Sequence, residues 1–297
     1  MYVYEIAALA AAALWAVTGL IATTPSQHLG AIAFNRYRML MVFAVLAAYV
    51  TVVPGWGSIG SAHLLPLILS GFIGIFLGDT ALFLSLNRLG PRRTAMLFSL
   101  NAPISALLGW IILGETLSGQ ALAGVLVAFA GVILAIGFGK RRSQLHQWEA
   151  IKGPLWIGLV LGLAAALSQS VGSLIARPIM EAGVDPVAAS ALRIGVAAFG
   201  LTLIAALPTP MVKAQKPMTL SVGIGVAMTG IMGMGIGMTL ILFALSGGEV
   251  GIISTLSATT PAIQLPLLWA RTRECPALGA WIGAALVVIG CALIFGV

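Results

Sequence analysis

The sequence predicts an all-α polytopic membrane protein with ten transmembrane helices, arranged as two inverted five-helix repeats. Composition, the spacing of apolar runs and the placement of basic residues predict it. Of the 297 residues, 60% are hydrophobic and 8% are charged, whereas soluble domains carry about 25% charged residues. Backbone polar groups in lipid must be bonded within their own segment, so the apolar runs are expected to be helices.

Ten apolar runs, each bounded by proline, glycine or charge, match the roughly 30 Å hydrocarbon core of a bilayer. The eighth and ninth are the least clearly separated, because only the short segment from Ser246 to Glu249 divides them. We place the spans at residues 4–24, 31–53, 64–87, 93–113, 119–138, 153–176, 186–207, 219–244, 250–270 and 277–296.

Basic residues concentrate in alternate loops. The loops after spans three, five, seven and nine contain eleven lysine and arginine residues, whereas the even-numbered loops contain Arg177 alone. By the positive-inside rule, the odd-numbered loops face the cytoplasm and both termini lie outside, in the periplasm of a bacterial cell. The same clustering at span ends accounts for the net charge of +7 without a nucleic-acid partner.

The two halves of the chain resemble each other. Residues 97–103 match residues 255–261, and Gly19 to Pro25 match Gly172 to Pro178. We therefore divide the chain into a first repeat, 1–145, and a second repeat, 146–297. Because each repeat has an odd number of spans, the second should be inverted, and inverted repeats are typical of transporters that rock about a midplane site.

These residues also resemble a known family. The stretch from Gly78 to Phe83, the stretch from Leu86 to Gly90, and Asn101-Ala102-Pro103 resemble the first half of an EamA-type permease. That family belongs to the drug/metabolite transporter superfamily, and the likeness covers essentially the whole chain. It is greatest to YddG-type exporters of aromatic and other neutral amino acids, which implies amino-acid efflux across the bacterial inner membrane. The second half departs from the pattern, since Arg273-Glu274 replaces the Gly-Glu pair.

Asp79 is the main polar anomaly, since it lies well inside the third span. A charge at the centre of a membrane helix costs about 2.5–3.5 kcal/mol on insertion scales. Asp79 could hold a substrate ammonium group, cycle a proton, or pack as a hydrogen-bonded carboxyl against a neighbouring helix.

Aromatic and amide side chains inside spans are further candidates for a substrate site. Trp15 and Gln169 occupy near-equivalent positions in spans one and six. Trp15, Phe83 and the methionines of span eight could form an adaptable apolar wall. The alternative for Trp15 is packing against lipid or a neighbouring helix.

Pro103 and Pro261 occupy equivalent positions in the two halves and predict helix breaks. Proline lacks a backbone N–H, so the carbonyl one turn earlier loses its helical partner. We expect these carbonyls to receive a substrate ammonium group, with a plain packing kink as the alternative. Polar neighbours should line the same cavity as hydrogen-bond donors; they are Ser99, Asn101, Ser257 and Thr259. Of these, Asn101 and Ser257, with neighbouring amides, could receive the substrate carboxylate.

Two further sets of residues repeat between the halves. Arg38 and Arg193 could attract a substrate carboxylate, but their closeness to span starts favours snorkelling towards the headgroups. Gly78, Gly235 and Gly237 lie in glycine-rich stretches of spans three and eight. Such stretches fit helices that bend or slide in a gate, with static close packing as the alternative.

Taken together, the residues predict a secondary transporter that exports neutral amino acids by alternating access and is not an enzyme. Its expected partners are the substrate, membrane lipids and, in one interpretation of Asp79, protons. No cofactor or metal is expected, because the sequence has neither a GxxxxGK[ST] loop nor an HExxH motif. Export of drugs, nucleotide sugars or other metabolites is the alternative, and an intramembrane enzyme is the less favoured one.

The predicted topology can be tested by cysteine accessibility in a background in which Cys275 and Cys291 are replaced. A single cysteine at Ala214 should react only with reagents that enter the cytoplasm, because it lies in a basic loop. A cysteine at Ser58 should react from outside. Labelling of the Ala214 cysteine by an impermeant external reagent would reverse the assignment.

Overall fold

Every regular element in the described part of the chain is helical. The computed structural model describes residues 2–113, 118–140, 146–247, 253 and 256–295. Its principal helices are α1 (Val3–Leu29), α2 (Ala31–Val52), α3 (Ser61–Leu89), α4 (Pro91–Phe98), α5 (Asn101–Leu113), α6 (Gly119–Phe138), α7 (Leu155–Glu181), α8 (Pro186–Ala205), α9 (Leu220–Leu245), α10 (Thr260–Thr272) and α11 (Leu278–Phe295).

Eight helical stretches are long and apolar enough to cross a membrane, with α4 and α5 forming one of them. They coincide with the first eight predicted spans. Helix α11 is a shorter apolar helix at the predicted tenth span, and α10 covers the end of the ninth. The multi-pass helical architecture is therefore confirmed. The number of ten spans stays a prediction, because most of residues 248–255 lie outside the described part.

Large apolar side chains lie on the outside of this bundle, and small ones lie inside. Leu126 and Ile133 on α6 are 64% and 70% exposed, and Phe199 on α8 is 66% exposed. Ala8 and Ala12 on α1, by contrast, are fully buried. Without a hydrophobic driving force between helices in lipid, small residues bring backbones close enough for van der Waals contact to hold them together. The exposed apolar surface is the one that faces lipid.

The two halves are interleaved in space. Helix α3 packs on α7, and α9 packs on α1, while α4 and α5 pack on α7 and α10 packs on α1. Helices α2 and α8 pack on each other, as do α6 and α11. Each of these contacts therefore has a counterpart in which the halves exchange roles, and the centre of the molecule is built from both.

Helices α6 and α11 cross at paired glycines. A Cβ atom on Gly124 would lie 2.6 Å from the carbonyl oxygen of Gly290, and one on Gly131 would lie 2.7 Å from that of Gly283. Gly124, the glycine nearer the start of α6, meets Gly290, the glycine nearer the end of α11. The two helices therefore run antiparallel. Equivalent helices of inverted repeats must do so, and this crossing supports the inversion, which remains a prediction for the complete halves.

Helices α3 and α9 each contain a π-helical segment at equivalent positions. The segments are Gly71–Leu77 and Thr229–Gly237, and both are rich in glycine. Wide turns of this kind are rare and are frequent at functional sites. The residues that directly follow them face the centre of the bundle, where the candidate site lies.

Candidate functional site

A central cavity lies where α1, α2, α3, α4, α7, α9 and α10 meet. Four of the residues predicted from the sequence line it: Trp15, Asp79, Phe83 and Gln169. Its wall combines charged, amide and aromatic groups. It is also lined by Thr18, Arg38, Phe98, Met234, Met238, Thr260 and Gln264.

The charged part of the wall is an ion pair between α2 and α3. The guanidinium of Arg38 donates a hydrogen bond to the carboxylate of Asp79, and its Nη2 also donates to Oδ1 of Asn35 at 3.1 Å. Arg38 and Asp79 are 5% and 6% exposed. The Arg38 guanidinium carbon lies 4.4 Å from the ring centroid of Phe83, within cation–π range. A buried carboxylate and a guanidinium are thus held at the edge of the cavity.

The sequence-based expectation that the side chains of Arg38 and Arg193 snorkel towards the lipid headgroups is wrong. Both side chains are buried inside the bundle and are 5% and 1% exposed. The physical reason at Arg38 is Asp79, one helix away, whose carboxylate stabilises the guanidinium in the interior. That partner comes from a different span, so spacing along α2 could not reveal it.

Arg193 on α8 holds the equivalent position in the second half, with a different partner. Its Nη1 lies 3.6 Å from the sulfur of Met238. Met238 directly follows the π-helical segment of α9, and Asp79 lies two residues beyond the end of the π-helical segment of α3. The equivalent of Asp79 is therefore a methionine, and the charge arrangement of the two halves is asymmetric.

Trp15 and Gln169 separate the central cavity from a second cavity, because both side chains line both spaces. The indole N–H of Trp15 donates to the carbonyl of Gly233 at 2.9 Å, and its ring meets that of Phe98 edge-on at 6.3 Å. The predicted pairing of positions 15 and 169 is matched in space. Together they form a partition at the middle of α1 and α7.

Only two of the four predicted polar neighbours of the prolines line a cavity. Asn101 and Ser257 line the second cavity. Ser99 and Thr259 line neither cavity: the Ser99 hydroxyl donates to the Met96 carbonyl at 2.7 Å, and that of Thr259 donates to the Leu256 carbonyl at 2.6 Å. Serine and threonine in helices commonly bond back to a carbonyl of the preceding turn, so these two hydroxyls are used locally.

The prolines break the helices as expected, but the prediction of free carbonyls is wrong. Helix α4 ends before Pro103, and α10 begins beside Pro261. The carbonyl of Ser99 accepts from the backbone N–H of Ala102 at 3.4 Å. The carbonyl of Ser257 accepts from the hydroxyl of Thr260 at 2.9 Å. Local donors therefore replace the missing proline N–H groups.

Two of the three predicted hinge glycines lie at close helix contacts. A Cβ on Gly78 would lie 3.1 Å from the Cβ of Ser168, and one on Gly237 would lie 2.9 Å from the indole nitrogen of Trp15. At Gly235 the nearest atom, on Val42, is 3.7 Å away, so an alanine would fit there. A role of these glycines in gating remains a prediction.

Gln264 is the main cavity residue that sequence reasoning missed. It is 3% exposed and lines the central cavity, and its Oε1 has no hydrogen-bond partner among the described residues. The available signal was the same as for Gln169, an amide inside an apolar span. Within the described residues, no three His, Cys, Asp or Glu side chains are grouped to hold a metal ion.

Comparisons with known proteins agree with this architecture. The model of the EamA-like transporter family matches residues 3–137 and again residues 156–296. The chain belongs to the EamA-like transporter family. Its members are transporters of small molecules, so this EamA-like protein is a multi-pass membrane transporter, and the family model matches it twice along the chain.

A solved crystal structure shares the fold of this EamA-like protein. It has a TM-score of 0.73 at 20% sequence identity, over 98% of this chain and 95% of that one. Among curated protein sequences, none matches the chain significantly.

The ion pair makes a testable prediction for stability and transport. Asp79→Asn should leave the Arg38 guanidinium buried without its anion, a change that costs about 3–5 kcal/mol in buried pairs of soluble proteins. We expect a lower unfolding temperature in detergent and reduced flux in proteoliposomes. If protons cycle on Asp79, the variant also loses the pH dependence of flux.

The matched control replaces both charges, as Arg38→Met with Asp79→Leu. Removing both members of a buried pair is often neutral for stability, so this variant should unfold near the parent temperature while flux stays low. Parent-like flux and pH dependence in Asp79→Asn would contradict a functional pair and would exclude a proton role for Asp79.

Proposed function

We propose that this transporter exports neutral amino acids, aromatic ones among them, across the bacterial inner membrane by alternating access. The observation that carries the proposal is the Arg38–Asp79 pair on the wall of a cavity that is otherwise largely aromatic and apolar. An amino acid presents a carboxylate and an ammonium group one carbon apart. A guanidinium and a carboxylate held side by side are their electrostatic complement.

The remainder of the wall suits a variable side chain. Phe83, Phe98 and Trp15 present aromatic rings, and Met234 and Met238 add flexible thioethers. Aromatic rings can stack with apolar substrates, and methionine adapts to different shapes. One methylene in such a pocket is worth only about 1–3 kcal/mol, so we expect broad specificity among neutral side chains.

The partition by Trp15 and Gln169 supports alternating access. The central cavity extends from this partition towards the loop after α3, which the positive-inside rule places in the cytoplasm. The second cavity extends the opposite way, past Ser173 and Arg177 near the end of α7. A pathway interrupted at its middle, between two interleaved halves, fits a site exposed alternately to each side.

Flux into proteoliposomes tests the substrate class. We expect transport of Phe, Trp, Tyr, Met, Leu and Thr, and poor transport of Asp, Glu and Lys, because the latter three would place a further charge against an apolar wall. Phenethylamine lacks the carboxylate and 3-phenylpropionate lacks the ammonium group, so neither should be transported. Comparing flux with and without a pH gradient measures proton coupling.

A pair of phenylalanine variants controls for nonspecific effects. Phe83→Ala changes the cavity wall and should lower flux of aromatic amino acids, whereas Phe199→Ala changes a lipid-facing residue and should not. Efficient transport of acidic or basic amino acids, of the two truncated analogues, or of no amino acid would overturn the proposal. The last outcome would favour drugs, nucleotide sugars or other metabolites.

A further inference from the structure

Arg193 is a buried cation whose hydrogen-bonding capacity is largely unused. It is 1% exposed, and its Nε and Nη2 have no hydrogen-bond partner among the described residues. Its contact with the sulfur of Met238 uses a weak acceptor. Ionisable groups inside membrane spans are costly and as a rule functional, and unpaired donors on such a group call for an explanation.

The surroundings of Arg193 repeat those of Arg38 with the halves exchanged. Arg38 lies against the π-helical segment of α9, where a Cβ on Gly230 would lie 3.2 Å from its Cγ. Arg193 lies against that of α3, where a Cβ on Gly71 would lie 2.7 Å from its carbonyl oxygen. Each arginine thus touches the wide turn of the opposite half.

Asp79 lies near enough to both arginines to interact electrostatically with each. It pairs directly with Arg38, and Nη2 of Arg193 would lie 3.3 Å from a Cβ on Gly74, a little over one turn before Asp79 on α3. The interior therefore holds two guanidinium groups beside one carboxylate. In this conformation the carboxylate pairs with Arg38, and Nε and Nη2 of Arg193 have no hydrogen-bond partner among the described residues.

We propose that Asp79 exchanges Arg38 for Arg193 during the transport cycle, which makes Arg193 the second partner of the carboxylate and frees Arg38 for the substrate carboxylate. This inference rests on the proposed amino-acid function. The π-helical segment Gly71–Leu77 is the element that could move Asp79. A helix that loses the extra residue of a wide turn rotates its C-terminal part by about 100°.

Replacing Arg193 separates an exchange partner from a structural group. Arg193→Met should lower phenylalanine flux on the order of tenfold, the range of typical coupling between sites. Phenylalanine binding to the purified protein should weaken as well, because without Arg193 the Asp79 carboxylate keeps Arg38 and does not free it for the substrate carboxylate. The unfolding temperature should be unchanged or raised, since an unpaired buried cation has become apolar. Arg36→Met, outside the cavity, is the matched control and should keep parent flux.

Moving the acid between the halves tests the exchange itself. Asp79→Met should abolish flux, and Met238→Asp added to it should restore part of that flux. The new carboxylate would lie beside Arg193, and Arg38 would then be the second arginine with which it can pair. Met238→Asp alone provides an acid for each arginine, so we expect a raised unfolding temperature and reduced flux.

Three results would overturn the inference. They are parent-like flux in Arg193→Met, joint loss of stability and binding in that variant, and no recovery of flux in the relocated-acid variant when it is as stable as the parent. Absence of phenylalanine flux in the parent protein would instead reject the proposed amino-acid function. The stabilising effect of Met238→Asp, measured with and without Arg193→Met, needs no substrate and tests the new pair in either case.

Discussion

A buried salt bridge lies at the centre of this transporter, where either charge without the other would be energetically costly. A guanidinium from α2 and a carboxylate from α3 neutralise each other beside an aromatic ring, and the helices that carry them also border the cavity. Because both side chains are buried, this pairing favours a close approach of the two helices. It also places a cation and an anion at one point of a largely apolar wall.

The interleaved packing of the two halves makes that site a shared one. Glycine-to-glycine crossings bring α6 and α11 together, and close contacts at Gly78 and Gly237 bring α3 onto α7 and α9 onto α1. Larger side chains at these positions would force the backbones apart. Because the cavity is bounded by helices of both halves, a movement of one half against the other would change access to it, as the proposed alternating access requires.

The architecture was largely predictable from the sequence, because length, apolar content and loop charge each act locally along a span. Asp79 could also be identified, since a carboxyl inside a span stands out from its own neighbours. The roles of Arg38, Ser99 and Thr259 could not. Snorkelling or burial of an arginine depends on a partner contributed by another helix, and the hydroxyls bond within their own turns. Those choices are made by packing between spans, which periodicity along one span does not encode.

Reciprocal opening of the two cavities can be measured directly with spin-label pairs in reconstituted protein. One pair, at Lys152 and Ser221, spans the side towards which the central cavity extends. A second pair, at Ile112 and Ser246, spans the opposite side. Addition of phenylalanine should move the two distance distributions in opposite directions, one widening as the other narrows. Distributions that both stay unchanged, or that widen together, would contradict alternating access through the partition at Trp15 and Gln169.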